Sequence, residues 1–378
     1  MKRTLYILAL GIFGITTTEF GVIGILPQIA NTYHVTIDKA GWLLSIFALI
    51  IAISAPFITL AFTNANRKKT LLLVLAIFSI SNILSAIAPS FSFLLFARAL
   101  PAVLHPVFWS IGLAVAAGSV SSEQSPKAVS VVFGGLTLAT VFGIPMATFI
   151  AEMFDWRASF LLSAVINIIS FLSIWIFLPF IPISKVKIKT SYWRILGNRK
   201  LLLSLLLACL MIAAMFSTYG YMADYLKNVT HMNGSEIGLM LLIFGITGVA
   251  GNYFAGKFLS KNIERTTLFF MLSLLGIHSL TYFMGANYNL MILVIVFWGF
   301  IHSGGFLISN VNITSSVSEA PEFINSIFTS CGNLAVTIGS TVGGFAIVNI
   351  GIHQLPWTSI ILLGLSLLVF TLKSLTKM

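Results

Sequence analysis

Twelve long apolar runs constrain this chain more than any other feature of its sequence. A helix needs about 20 apolar residues to cross the hydrocarbon core of a bilayer, and these runs have about that length. Outer-membrane barrels instead alternate apolar and polar residues over about ten positions. The sequence therefore predicts an all-α membrane protein whose twelve transmembrane helices cover residues 4–28, 40–62, 70–88, 91–117, 128–151, 158–180, 201–226, 236–259, 266–285, 289–316, 323–350 and 356–375.

Composition excludes the soluble and disordered classes of protein. Of the 378 residues, 58% are hydrophobic and 8% are charged, whereas soluble domains have about 25% charged residues. The formal net charge of +11 does not require an acidic partner, because basic residues also mark the cytoplasmic loops of membrane proteins. We therefore expect membrane lipids rather than nucleic acid to surround this chain.

The basic residues predict how the chain is oriented. If the N-terminus is cytoplasmic, 17 of the 21 lysines and arginines lie on the cytoplasmic side, three lie outside, and Arg98 lies within a helix. The positive-inside rule then places both termini in the cytoplasm of a plasma-membrane protein. The first run follows Lys2-Arg3 but is too long for a signal peptide and contains Glu19, so we expect it to remain as a helix.

The two halves of the sequence resemble each other. Ile46-Phe47 corresponds to Ile243-Phe244 at an offset of 197, and LATVFG from Leu138 corresponds to LAVTIG from Leu334 at an offset of 196. This repeat predicts two pseudo-symmetric six-helix bundles, 1–180 and 201–378, joined by a cytoplasmic linker over 181–200. Transporters built from repeats bind their substrate between the repeats, near the bilayer midplane.

Several loop and helix segments resemble motifs of the major facilitator superfamily. The loop after the second run ends in Arg67-Lys68 and resembles the basic loop motif of that family, with Thr63 at its acidic position. In the second half Gly256 keeps the motif glycine, and Ser260 stands at the acidic position. The resemblance implies that these residues belong to the gating loops.

Further matches lie in helices 1, 4 and 5. FLLFARALPAVLHPVFW contains Arg98 at the arginine position of the family, and GGLTLATVFGIPMATF resembles its Gly-Pro antiporter motif through Gly143 and Pro145. Together with TEFGVIGILPQIA in helix 1, these segments resemble the sugar-efflux branch of the twelve-helix drug:proton antiporters. The resemblance covers essentially the whole chain and implies proton-coupled export by alternating access, without a cofactor.

Four ionisable side chains inside the helices are candidates for proton coupling, because such groups are costly in lipid. Glu19 and Arg98 fall at similar depths, so we expect them to pair, or to pair alternately as Arg98 displaces a proton from Glu19. A permanent structural ion pair is the alternative. His105 is interpreted as a proton relay, a substrate ligand or a packing residue. Asp224 is interpreted as a gating group or an ordinary interfacial carboxylate.

Aromatic and amide side chains are predicted to line the substrate cavity, since binding pockets are mostly apolar with few polar groups. We predict that the His278 side chain forms a hydrogen bond between helices. The same role is the alternative for His302, which is also a candidate cavity residue. The candidates are Phe20, Phe108, Trp109, Phe216, Tyr219, Tyr221, Trp298, His302, Asn325 and Asn333.

The sequence contains no enzyme signature. It has no GxxxxGK[ST] phosphate loop for ATP and no histidine pair at metal-binding spacing, so we predict neither an enzyme nor a metal site. We predict a monomeric antiporter that exchanges protons for a small organic molecule, such as a drug, a sugar or a nucleobase-like compound. The alternatives are a proton-coupled uptake symporter of the same fold and a membrane receptor or scaffold that transports nothing.

Overall fold

The computed structural model describes residues 2–62, 65–121, 125–179, 197–317 and 321–375, and within these ranges the regular structure is helical throughout. Twelve segments of the described chain are long and apolar enough to cross a membrane. They are numbered here as spans 1 to 12 and confirm the all-α, twelve-helix prediction. The predicted linker over 181–200 lies outside the described residues up to position 196, and so does Thr63.

Six spans form the N-terminal half. Span 1 consists of helix Lys2–Phe20, a 3₁₀ turn at Gly21–Gly24 and helix Leu26–Tyr33; spans 2, 3 and 4 are Ile37–Ala61, Arg67–Ala86 and Phe91–Gly118; span 5 consists of Ser125–Leu138, a π-helical turn at Ala139–Gly143 and Ile144–Met153; and span 6 is Trp156–Phe177.

Six more spans form the C-terminal half. Span 7 consists of helices Arg199–Tyr219 and Met222–Asn228; spans 8 and 9 are Gly234–Leu259 and Ile263–Met284; span 10 consists of Tyr288–His302 and Gly305–Thr314; span 11 is Pro321–Ile350; and span 12 joins a 3₁₀ turn at Ile352–Gln354 to helix Pro356–Leu375.

Local sequence determines where the spans begin and turn. Many spans start at an Asn, Ser or Asp side chain that accepts a backbone N–H of the first helical turn, as Asn66 does from Lys69 and Asn262 does from Arg265. Such caps satisfy N–H groups that have no partner within the helix. His34 and His231, which are 197 residues apart, both have positive φ, at 52° and 60°, so the turns after spans 1 and 7 share this feature at corresponding positions.

Because the described chain has twelve spans, an even number, span 1 begins and span 12 ends at the same face of the helix bundle, called here the termini face. At the opposite face the two halves meet along a seam, in which span 2 packs against span 11 and span 5 against span 8. Thr337 donates a hydrogen bond to the carbonyl oxygen of Ser45 across it, at 3.1 Å. At mid-depth, a Cβ on Gly245 would lie 2.6 Å from the Cα of Val141, so the seam requires a glycine there.

Candidate functional site

A buried acid and a buried imidazole meet at mid-depth in the N-terminal half. Oε2 of Glu19 lies 3.2 Å from Nε2 of His105, and both side chains are at least 93% buried. The imidazole ring also contacts the rings of Phe47 and Phe78, each with 6.1 Å between centroids. Neither His105 nitrogen has a hydrogen-bond partner among the described residues, so the ring is not oriented for a hydrogen bond to Glu19. The two side chains are thus in close contact, and aromatic rings enclose the imidazole.

Arg98 binds backbone rather than the Glu19 carboxylate. Its guanidinium donates to the carbonyl oxygens of Thr18 and Glu19 at 3.1 and 3.2 Å, and to that of Leu43 at 3.4 Å. The Thr18 and Glu19 carbonyls are available because the first helix of span 1 ends at Phe20, and a helix end leaves its last carbonyls without partners. The expected pairing of Arg98 with the Glu19 carboxylate is therefore absent from this conformation.

An amide and hydroxyl cluster next to these groups was not predicted from the sequence. Thr18 Oγ1 accepts hydrogen bonds from Nδ2 of Asn82 at 2.9 Å and of Asn167 at 3.0 Å, and it donates to the carbonyl of Gly14 at 3.0 Å. The cluster joins spans 1, 3 and 6 behind Glu19. The sequence signal for this cluster was an asparagine inside each of two otherwise apolar runs, because buried polar groups in a membrane need hydrogen-bond partners.

The corresponding region of the C-terminal half is aromatic. Tyr219 and Phe244 stack with ring centroids 4.8 Å apart, and His302 lies 4.9 Å from Tyr219 and 5.2 Å from Phe244. Trp298 contacts both Phe244 and, at 5.2 Å, His278. The prediction that His278 forms a hydrogen bond between helices is wrong for this conformation, because neither of its ring nitrogens has a hydrogen-bond partner among the described residues.

The internal repeat extends to this site. His302 follows His105 by 197 residues, the offset that also relates Phe244 to Phe47, and each histidine contacts its own phenylalanine. The halves differ in what faces the histidine from the first span of each half. His105 faces the carboxylate of Glu19, whereas His302 faces Phe216 and Tyr219 in span 7.

The structure brings four of the predicted cavity residues together and separates most of the others. Phe216, Tyr219, Trp298 and His302 belong to the aromatic cluster of the C-terminal half, and Phe20 reaches it from span 1 through a ring contact with Phe216 at 5.7 Å.

The remaining cavity candidates of span 4 lie apart from this cluster. Phe108 is fully buried in the N-terminal core, where it fills the space above Gly11 in span 1. Trp109 is half-buried and contacts Phe133 at 5.2 Å. Both rings therefore pack within the N-terminal half in this conformation.

Of the other two predicted residues in span 7, Tyr221 belongs to the seam, and Asp224 has its hydrogen-bond partner within its own short helix. The Tyr221 hydroxyl donates to the carbonyl of Ser340 at 2.8 Å and packs against Gly41 of span 2, so this ring closes the opposite face. Asp224, three residues further on, is buried and accepts a hydrogen bond from Asn228 at 2.8 Å.

The predicted amides of span 11 lie towards the termini face. Asn325 is exposed and its Oδ1 lies 3.4 Å from Nδ2 of Asn310 in span 10. Asn333 donates to the carbonyl of Thr329 within its own helix, at 3.0 Å. Each amide thus has its hydrogen-bond partner outside the aromatic cluster.

The motif residues of the first half have local structural partners. Lys68 donates to the carbonyl of Leu178 at 2.6 Å and so neutralises the C-terminal end of span 6, where a cation is favourable. Gly143 packs against Thr17 of span 1. Pro145 is the second residue after the π-helical turn, and its missing N–H is a reason for the irregular hydrogen bonding before it. Arg67 starts span 3.

In the second half, Gly256 lies in span 8, where a Cβ would meet Leu307 of span 10 at an ordinary contact distance of 3.7 Å. The glycine is therefore not required by a close helix approach in this conformation.

The described chain has twelve spans in two related halves. A buried acid, a buried cation and two histidines lie at mid-depth beside the seam. These features define a multi-pass membrane transporter rather than an enzyme. The model of the Major Facilitator Superfamily matches residues 8–322 and 225–377, and the chain belongs to this family.

Two similar sequences are named transporters. The chain is 33% identical over 363 residues to the inner membrane transport protein YdhP of Escherichia coli K12, which covers 96% of this chain and 93% of that protein. It is 26% identical over 352 residues to a probable sugar efflux transporter of Helicobacter pylori P12, with coverage of 93% and 90%.

A solved structure shows the same fold. The crystal structure of the nucleoside transporter NupG has a TM-score of 0.79 at 14% identity and covers 98% of both chains. The chain is accordingly a multi-pass transporter of small molecules in the plasma membrane.

Proposed function

We propose that this protein exports a small organic molecule in exchange for protons, with Glu19 as the group that carries the proton. The observation that carries this proposal is the enclosed contact between Glu19 and His105. A carboxylate without a permanent cationic partner can be protonated and released as its surroundings change, whereas one locked to an arginine stays ionised. Arg98 is engaged with three carbonyls, so it leaves the Glu19 carboxylate free for this role.

The direction of transport rests on the Gly143–Pro145 motif of span 5 and on similarity to a protein named as a probable sugar efflux transporter. With both termini cytoplasmic, as the basic residues predict, the closed seam lies at the outer face, which is the inward-facing state of the proposed cycle. The two halves then rock about the Glu19 region, and the proton gradient drives the cycle without a cofactor. The working unit is a monomer.

The decisive experiment uses proteoliposomes with imposed pH gradients. An antiporter accumulates its cargo in liposomes that are acidic inside and alkaline outside, because protons leave as cargo enters. A symporter requires the reverse gradient, and a receptor or scaffold gives no flux in either direction. Radiolabelled glucose, uridine and ethidium represent sugar, nucleobase-like and drug-like cargo. Uptake of at least one of them only when the lumen is acidic is the expected result.

The variant Glu19→Gln tests the assignment of the proton carrier. We expect proton-driven uptake to fall by roughly tenfold or more, because the amide cannot carry a proton across the low-dielectric interior, while exchange of labelled for unlabelled cargo persists. Glu236→Gln is the matched control, since a glutamine also fits the capping box that Glu236 forms with Asn233. Full proton-driven uptake by Glu19→Gln would remove Glu19 from the mechanism.

A further inference from the structure

The two cysteines of the chain lie beside each other between spans 7 and 11. Both Cys209 and Cys331 are half-buried free thiols. The Cys331 thiol donates to the carbonyl oxygen of Leu205 in span 7, at 3.4 Å, and Leu205 precedes Cys209 by one helical turn. The two thiols are close enough to interact with each other. The sequence gives no sign of this pair, because its members are 122 residues apart.

Close packing of spans 7 and 11 holds the pair in place. A Cβ on Gly339 would lie 2.3 Å from the carbonyl oxygen of Ala213. One turn further along, a Cβ on Gly343 would lie 2.1 Å from that of Ser217. Each of these contacts joins residues 126 positions apart, as does the hydrogen bond of the Cys331 thiol. The two helices therefore run side by side in one register, and their backbones touch above the cysteines.

The set of donors around the pair restricts which ion it can bind. Among the described residues, no group of three or more histidine, cysteine, aspartate and glutamate side chains is arranged to hold a metal ion. Zinc sites use three or four protein ligands, so two thiols alone do not fit zinc. Thiolates are soft ligands that select soft metal ions. Two of them suit a soft ion that is satisfied by two sulfur ligands, and Hg²⁺ is such an ion.

Charge and redox state favour the same kind of ligand. Each thiol loses its proton when it binds a metal ion, so a divalent ion held by two thiolates forms a neutral complex. Neutrality matters within a membrane span, because an unbalanced charge there is costly. The positive-inside rule puts the termini face in the cytoplasm, where thiols are kept reduced and are thus available to a metal ion.

We propose that Cys209 and Cys331 form a two-coordinate site for one soft divalent metal ion, with one thiolate ligand from span 7 and one from span 11. This inference goes beyond the proposed transport function and does not depend on it, because binding requires neither a proton gradient nor cargo. A bound ion fixes span 7 to span 11. These are the two helices that contact span 2 at the seam, through Tyr221 and Thr337.

Metal binding to the purified, reduced, full-length protein in detergent tests the site. The probe is Hg²⁺, supplied together with an excess of a small monothiol that removes the ion from any isolated cysteine. After desalting, we expect native mass spectrometry to show one Hg²⁺ per chain without a monothiol adduct, and X-ray absorption to show two sulfur ligands. Zn²⁺ should not be retained. Two Hg²⁺ ions per chain, a mixed complex with the monothiol, or no retained Hg²⁺ overturns the proposal.

Single substitutions show whether both thiols are needed. We expect Cys209→Ser and Cys331→Ser each to weaken Hg²⁺ binding by roughly 100-fold or more, because the second thiolate no longer acts at a high effective concentration. The serine hydroxyl at position 331 can still donate to the carbonyl of Leu205, so the fold should be retained. Unchanged Hg²⁺ affinity in either variant overturns the proposal, since one thiol is then sufficient.

A folding defect is separated from loss of the site by the Tm of each protein without metal. Cys331→Ala is a second variant at the same position and should lose Hg²⁺ as Cys331→Ser does. A ligand that binds only the folded protein raises its Tm, so Hg²⁺ should raise the Tm of the unaltered protein and leave that of the single variants unchanged. An equal rise in all of them contradicts a site shared by the two cysteines.

Discussion

Arg98 shows how one buried charge can be stabilised without a carboxylate. Its three carbonyl partners belong to span 1 and span 2, and the rings of Phe47 and Phe160 lie 5.2 and 5.7 Å from its guanidinium carbon. Carbonyls at the end of a helix carry partial negative charge, and aromatic faces attract cations. Arg98 therefore holds spans 1, 2 and 4 together around the Glu19 region.

This arrangement predicts that Arg98→Lys destabilises the fold although the charge is kept. A lysine ammonium is a compact point charge that cannot reproduce the fork of donors, and disrupting a buried charged network costs about 3 kcal/mol or more. We expect the Tm of the purified protein in detergent to fall by at least about 3 °C. Arg157→Lys is the control, because the Arg157 side chain is 37% exposed and pairs with a half-exposed Asp155.

The outcome that contradicts this account is an Arg98→Lys protein with unchanged Tm, since the guanidinium geometry is then unimportant. The sequence predicted that Glu19 and Arg98 lie near one another and pair, because their depths in spans 1 and 4 match. It predicted neither the contact of Glu19 with His105 nor the carbonyl partners of Arg98. The latter depend on the helix end at Phe20, which frees the carbonyls that Arg98 binds.

At the scale of elements, breaks within the spans are the main features that hydropathy could not reveal. The runs 4–28, 201–226 and 289–316 predict continuous helices, whereas spans 1, 7 and 10 are interrupted next to Gly21, Gly220 and Gly304. An apolar window measures length and burial, and glycine at a break is as apolar as the residues around it. The number of spans is set by length alone, so it was predicted correctly.

The seam between the halves also depends on glycine. Gly245 of span 8 faces the backbone of the π-helical turn in span 5, where a Cβ would lie 2.6 Å from Val141 Cα and 2.9 Å from the carbonyl oxygen of Thr140. Backbone atoms cannot move aside as a flexible side chain does. The seam therefore closes fully only while position 245 has no side chain.

We accordingly predict that Gly245→Val opens the seam. Overpacking costs about 1–3 kcal/mol, and this cost falls on the closed-seam conformation alone, so the equilibrium moves towards the other conformation by a factor of about 5 to 150. Spin labels at Asp155 and Tyr288, one in each half at the opposite face, report the change as a longer distance. Gly276→Val is the control, because a Cβ there meets nothing within 4 Å.

At the scale of the whole molecule, the two halves have the same architecture with different chemistry. The repeat preserves Phe47 and His105 as Phe244 and His302, together with the turn conformations at His34 and His231. The contact between an acid and a histidine and the buried arginine occur in the first half, and the aromatic cluster around His302 occurs in the second. Internal similarity in the sequence was enough to predict the duplicated architecture, but which polar atoms remain unpaired depends on three-dimensional packing.

The asymmetry of charge across the membrane leads to a prediction about the conformation as a whole. With the termini face in the cytoplasm, side chains near that face are reachable from inside the cell, while the seam shields side chains near the outer face. Asn325 in span 11 is exposed, whereas Ser45 in span 2 is 95% buried, and its carbonyl accepts the hydrogen bond of Thr337.

Single cysteines at these two positions test this orientation and conformation together. They are introduced into a chain whose native Cys209 and Cys331 are replaced by serine. We expect a membrane-impermeant maleimide to label Asn325→Cys in inside-out vesicles and not in intact cells, because the positive-inside rule places the termini face in the cytoplasm. Ser45→Cys should resist the reagent from both sides until Gly245→Val is added, which should expose it from outside. Labelling of Asn325→Cys from outside would contradict the orientation, and rapid labelling of Ser45→Cys in the unaltered seam would contradict an inward-facing resting state.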